Sequence, residues 1–276
     1  MILVIIFLGL CFGSFVNALV WRIAEQEKPF KKRAAKDKDL SITKGRSMCP
    51  HCKHTLAWFD LVPVASWLSL RGRCRYCTKH IGLQYPLVEV ATALLFGLSY
   101  VYWPSGLEES VQVGIFALWL ALLTILVALS VYDLKYMLLP NKLVVAAGAF
   151  VAFMVAILCF NEMSLLPVRD ALLGLLAFGG VFYVLFQISD GRWIGGGDVK
   201  LGFVLGALLA SPTLSALAIF MASFLGSFIA LVGMARGKLS IKTRIPFGPL
   251  LIMGTIITYF FGNSVMRAYA SLVLGS

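Results

Sequence analysis

The chain has 276 residues, of which 60% are hydrophobic and only 13% charged, with a mean hydropathy of +0.89. Soluble globular proteins carry about one quarter charged residues, so a water-soluble domain is excluded and an all-α polytopic membrane protein is expected. The net charge of +11 would suit nucleic acid if it were clustered on a soluble surface, but its distribution argues otherwise.

In chain order, apolar blocks long enough for a hydrocarbon core of about 30 Å fall near 1–21, 85–103, 112–131, 143–160, 170–188, 199–210, 213–234 and 247–262, about eight transmembrane helices. The first, "MILVIIFLGLCFGSF", has no basic residue ahead of its apolar core, which argues for a retained helix and against a signal peptide. Cys11 and Cys159 read as buried, packed thiols. With the N-terminus outside, all but Arg169 and Arg267 of the 24 Lys and Arg residues fall in loops on one face, which the positive-inside rule makes cytoplasmic. The charge therefore reports topology. The basic run "KPFKKRAAKDK" is expected to be a solvated loop with at most a minor role in touching anionic headgroups. No nucleic-acid partner is expected.

Between the first two spans lies a loop, 22–84, that contains "MCPHCKHTLAWFDLVPVASWLSLRGRCRYCTKH" at 48–80. Cys49 and Cys52 form one C-x-x-C, Cys74 and Cys77 another. Two such knuckles complete a four-thiolate tetrahedral zinc site, and a cytoplasmic address disfavours disulfides. The zinc is structural, because four thiolates leave no open position for water. His51 and His54 are expected to be exposed, and Asp60 to cap or turn. The organisation expected is a first helix at 1–21, this zinc-binding loop, and a membrane domain at 85–276.

Two aspartates end apolar runs: Asp133 in "VYDLKYMLLPN" and Asp198 in "WIGGGDVKLG". With the topology above, both face the same side at similar depth. Ionisable groups at membrane depth are costly and mark function by default. Each also has a plain structural use, Asp133 ending a helix and Asp198 accepting a bond from Lys200. Gly195, Gly196 and Gly197 remove every side chain ahead of Asp198, opening a path for an extended peptide. Two facing carboxylates sharing a proton are the apparatus of an aspartic protease. Asp190, in "ISDGRW", has no such setting and reads as a turn or cap. Pro246, Phe247, Gly248 and Pro249 read as a rigid turn shaping the cavity near the aspartates.

The ordered set "GSFVNALVWR", the two C-x-x-C pairs around "LVPVASWLSLRGR", "QYPLVE", "DLKYMLLPN", "GGGDVKLG" and "PFGP" resembles the type IV prepilin peptidases, of the G-x-G-D class of intramembrane aspartyl proteases. The resemblance implies Asp133 and Asp198 as catalytic residues, with Gly195, Gly197 and Lys200 in the supporting loop. It implies prepilin or pseudopilin substrates cut after a glycine, an inner-membrane address, and N-methylation of the new terminus with S-adenosylmethionine. No nucleotide-binding fold of the usual methyltransferase kind is legible; Glu89 is the acidic residue connected with that activity. Where many relatives carry an aspartate, this chain has Asn141, expected to cap the helix that follows. The rival readings are a proton- or ion-coupled transporter using the two aspartates as a relay, with the zinc knuckle regulatory, and a membrane scaffold without activity.

Overall fold

The structure, a computed structural model, describes residues 1–28, 40–41, 45–104, 106–240 and 243–274. Most of the basic run expected to meet headgroups lies outside the described residues. These form two compact units, Met1–Tyr102 and Trp103–Ser276.

The first unit holds α1 (Ile2–Glu27), a 3₁₀ turn at Trp58–Leu61, the short α2 (Ala65–Ser69) and α3 (Gln84–Val101). The second holds α4 (Ser110–Tyr136), α5 (Asn141–Glu162), α6 (Leu166–Ser189), α7 (Gly196–Leu209), α8 (Pro212–Ala235) and α9 (Gly248–Leu274). All eight expected spans appear as helices in the expected order. Six are long and apolar enough to cross a membrane. The exceptions are α3, with 18 residues, and α7, whose 14 residues extend only about 21 Å at 1.5 Å per residue. Helices α1 and α9 run past the expected ends at 21 and 262, because apolarity marks only the lipid-matched part of a helix. Arg22 donates to the Gly45 carbonyl and Gln26 to that of Leu40, so the last turns of α1 are held by polar contacts.

Lipid offers no hydrophobic drive between helices, so close backbone approach at small residues does the packing. In the first unit α1 packs on α3, and a Cβ added at Gly13 would lie 2.5 Å from Glu89 Cα. In the second, α6 meets α7 at Gly174 and Gly206, where either added Cβ would lie 2.3 Å from the other's carbonyl oxygen. Helix α4 meets α9 through aromatic packing: Trp119 stacks on Tyr259 with ring centroids 4.3 Å apart. Toward the other end of α4, Asp133 meets the start of α9.

Cys11 and Cys159 are half-buried, contrary to the expectation of full burial. They sit on the flanks of α1 and α5, where the protein covers only part of the side chain.

Candidate active site and metal centre

The insert is built from two equivalent turns. The Cys49 N–H donates to the His54 carbonyl at 3.0 Å and the Lys53 N–H to that of Cys49 at 2.9 Å; likewise Cys74 donates to Lys79 and Thr78 to Cys74, both at 2.9 Å. Lys53 and Thr78 complete the turns with φ of 59° and 56°. The repeated geometry brings the sulfurs of Cys49, Cys52, Cys74 and Cys77 within 4.8 Å of one another. Zn–S bonds of about 2.3 Å in a tetrahedron set S···S edges near 3.8 Å, and the Cys49 and Cys77 sulfurs stand 3.9 Å apart. The donor set therefore fits a metal ion. Burial pushes the Cys49 thiol up to about 12; at Cys74 burial acts the same way but is outweighed by N–H groups of Cys77 and Tyr76, which bring it down to about 7. His51 and His54 are exposed, as expected.

Asp60 does more than turn the chain. Its Oδ2 accepts the Ala57 N–H at 3.2 Å and the Tyr76 hydroxyl at 3.0 Å, and its Oδ1 pairs with Arg75 Nε at 2.8 Å. Burial opposes its ionisation, but these bonds hold the carboxyl below the usual carboxylate range. It fastens the segment between the knuckles to the second one.

Asp133 and Asp198 lie in the second unit, one beside the start of α9 and the other in the first turn of α7, with Leu139 against both helix starts. Asp133 is 5% exposed, and its Oδ2 accepts the Gly248 N–H at 3.1 Å. That N–H is one of those a helix start leaves unpaired. Asp198 stands in the first turn of α7, its carboxylate folded back beside Gly195, where an added Cβ would lie 3.3 Å from Oδ2. Two helix N-termini, those of α7 and α9, thus point partial positive charge at one pair of carboxylates. Gly195 and Gly196 are exposed and Asp198 is half-buried, so the pair is approached over bare backbone. Leu139 packs where a Cβ on either Gly197 or Gly248 would touch it, at 3.2 Å and 3.4 Å.

Asn141 does not cap α5. Pro140 occupies the cap position, which leaves Asn141 as the first helical residue, and its Oδ1 instead accepts from Lys200 Nζ at 2.9 Å. This bond ties the first turn of α7 to the start of α5, and Lys200 is therefore directed to Asn141. Asp190 ends α6 in the left-handed region, with φ of 49°, as a cap residue should.

Glu89 belongs to the first unit. It is 7% exposed and its Oε2 accepts the Val64 N–H at 2.7 Å, across a residue held at φ 59°. The sequence reading missed the Gly248 donor, Leu139 and the Val64 contact. The turn around Gly248 had been marked, but only as a shape.

The Gly248 geometry carries a prediction. A Cβ there would lie 2.7 Å from Asp133 Oδ2, so Gly248→Ala must displace the carboxylate or the start of α9. Misplacement by about 1 Å costs on the order of 100-fold. The expected outcome is a loss of that order in kcat/KM with normal membrane insertion, whereas Gly114→Ala, on an exposed face of α4 where an added Cβ meets nothing within 4 Å, stays near the parent.

Comparison with known proteins gives two family matches: the Bacterial Peptidase A24 N-terminal domain over residues 7–103 and the Type IV leader peptidase family over residues 120–231. The chain is 35% identical over 267 residues to the Type 4 prepilin-like proteins leader peptide-processing enzyme of Escherichia coli O78:H11, covering 91% of each chain. It is 31% identical to a prepilin leader peptidase/N-methyltransferase of Pseudomonas aeruginosa, over 97% of this chain and 93% of that one. The counterpart in Bacillus subtilis is 28% identical over the full length of both. No solved structure matches the chain.

Proposed function

The chain belongs to the type IV leader peptidase family, and from that premise we propose that it cleaves the leader from prepilins or pseudopilins after a glycine and N-methylates the new terminus. The observation that carries this reading is the pairing of Asp133 and Asp198 at the starts of α7 and α9 behind exposed glycines.

One carboxylate of the pair, ionised, takes a proton from the attacking water, and the other, protonated, hydrogen-bonds the scissile carbonyl. The water oxygen bonds to the carbonyl carbon, the C–N bond breaks, and the departing amine receives the proton. Gly248 holds Asp133 through its N–H. Gly195 and Gly197 let the substrate backbone come alongside Asp198, and Lys200 steadies that turn through Asn141. The protein is a multi-pass inner-membrane protein. Its N-terminus faces outward, and the insert and both aspartates face the cytoplasm, where a basic leader arrives.

The insert, with four thiolates at tetrahedral spacing, holds Zn²⁺ in a structural role. S-adenosylmethionine would supply the activated methyl group for the new N-terminal amine. Glu89 serves this second activity from the first unit. The transporter reading has no support: the aspartates sit at helix ends, and no relative named above is a transporter.

The experiment is incubation of detergent-solubilised protein with a prepilin and S-adenosylmethionine, followed by mass measurement. The parent should yield a product lacking the leader and carrying the mass of one methyl group. Glu89→Gln should lower the methylated fraction far more than the cleaved fraction. An intact prepilin would overturn the peptidase reading, and a cleaved, wholly unmethylated parent product would overturn the second activity.

A further inference from the structure

Helices α1 and α3 run side by side in a fixed antiparallel register. Asn17 donates its Nδ2 to the Tyr85 carbonyl at 3.1 Å, an added Cβ on Gly13 would lie 2.5 Å from Glu89 Cα, and one on Gly9 would lie 2.6 Å from Ala93 Cα. The first charged residue of α1 is Arg22. The uncharged stretch ahead of it, about 31 Å at 1.5 Å per residue, matches a hydrocarbon core, so Arg22 marks the edge of that core on the insert's side. Ser14, eight residues earlier, lies about 12 Å inside the edge.

The insert reaches this level. The Glu89 carboxylate accepts the Ser14 hydroxyl and, at 2.7 Å, the N–H of Val64. The chain therefore runs from the first knuckle down to Val64, turns there with φ of 59°, and returns to the second knuckle through α2. Between Asp60 and Arg71 this segment carries no charge, and Asp60 itself is bonded to Arg75 and Tyr76 at the knuckle end. A run of about ten uncharged residues has re-entrant length.

The backbone of the segment is largely closed on itself. Pro63 has no N–H to satisfy, Ser66 donates to the Val62 carbonyl, Leu68 to that of Val64, Leu70 to that of Ser66 and Gly72 to that of Trp67. Lipid tolerates a backbone only when its polar groups are engaged in this way. The side chains, by contrast, find little protein. Trp58 is 79% exposed, and Phe59, Leu61, Val62 and Leu68 are exposed with it. Apolar residues exposed together mark contact with a membrane or a partner. Depth favours the membrane, because a segment pinned beside Ser14 of a helix long and apolar enough to cross stands at the level of acyl chains.

We propose that residues 58–70 form a re-entrant elbow set into the lipid leaflet on the insert's side. Leu61, Val62 and Leu68 lie among acyl chains, and Trp58 and Phe59 lie at the headgroups. The Arg75 guanidinium stands 4.9 Å from the Phe59 ring centre, so cation and aromatics share the layer in which both residue types settle. The elbow ties the metal knuckles to the membrane surface. The inference rests on the register of α1 and α3, and neither protease nor methyltransferase chemistry enters it.

The test is footprinting of the whole protein, purified without chelator, in nanodiscs of phosphatidylethanolamine and phosphatidylglycerol. Two probes are mapped by mass spectrometry: a phospholipid with a diazirine on its acyl chain, and hydroxyl radicals generated in the water. The lipid-borne carbene should label residues 58–68 as well as Phe7 and Phe12, which α1 exposes. The radicals should oxidise Trp58 less than Tyr76 of the second knuckle, although the protein leaves 79% of Trp58 uncovered against 42% of Tyr76. Carbene label on α1 with none at 58–68, together with Trp58 oxidised more than Tyr76, would show a loop in water and overturn the elbow. Protection of residues 58–68 from both probes would overturn it too, since protein and not lipid would then cover them. Loss of prepilin cleavage would leave either result unchanged.

Discussion

Asp198→Asn is expected to abolish leader cleavage, lowering kcat by about four orders of magnitude or more, the scale seen when a member of a catalytic unit is removed. Expression and membrane insertion should be unchanged, because Asp198 is half-buried at the open end of α7 and an amide of the same shape leaves the helix start intact. Asp133→Asn should be equally inactive. Its amide can still accept the Gly248 N–H through oxygen, so the loss would report proton chemistry and not a lost tether. Asp60→Asn and Asp190→Asn should keep most cleavage activity. The first of these fastens the insert, and the second ends α6. Cleavage of prepilin near the parent rate by either catalytic-site variant would remove the aspartyl assignment.

Replacing Cys49 and Cys74 together by serine is expected to strip the metal and unfold the insert. Among the described residues from 45 to 83, only Cys49, Gly72 and Cys74 are buried, so no apolar core exists to hold the loops once the sulfurs let go. In small metal-stabilised domains, metal binding supplies the folding free energy, of the order of 10 kcal/mol. Elemental analysis of protein purified without chelator should find close to one zinc per chain in the parent and none in the double variant. Limited proteolysis should then cut the variant between α1 and α3 while leaving the helices of the second unit whole. Protein free of metal, with all four thiols reacting freely in the folded state, would contradict the zinc assignment.

Local patterns in the sequence carried the helices and the knuckles. Eight apolar blocks became eight helices because lipid matching imposes length and apolarity on each block separately, without reference to its partners. The paired C-x-x-C turns were legible for the same reason: each is a local turn, and their sulfurs do converge. The positions of Asp133 and Asp198 at the ends of such blocks could be read too. What escaped is the set of contacts that joins distant segments. The Gly248 N–H reaches an aspartate 115 residues away, and nothing in "PFGP" signals a donor. Asn141 looked like a cap by its place after Pro140, but the proline took the cap position and Lys200, 59 residues on, took the side chain. The reach of Val64 to Glu89 becomes visible only once the insert is laid against α3.

The most direct test of the central claim, that Asp133 and Asp198 act as one catalytic unit, is a double-mutant comparison of single-turnover cleavage. The rate constants of Asp133→Asn, Asp198→Asn and the combined variant are measured on one prepilin, with equal amounts of inserted protein. Shared-proton chemistry predicts that each single variant falls to the same residual rate and that the combination falls no further. Two partial losses that multiply in the combined variant would show the aspartates acting independently, and would contradict the account.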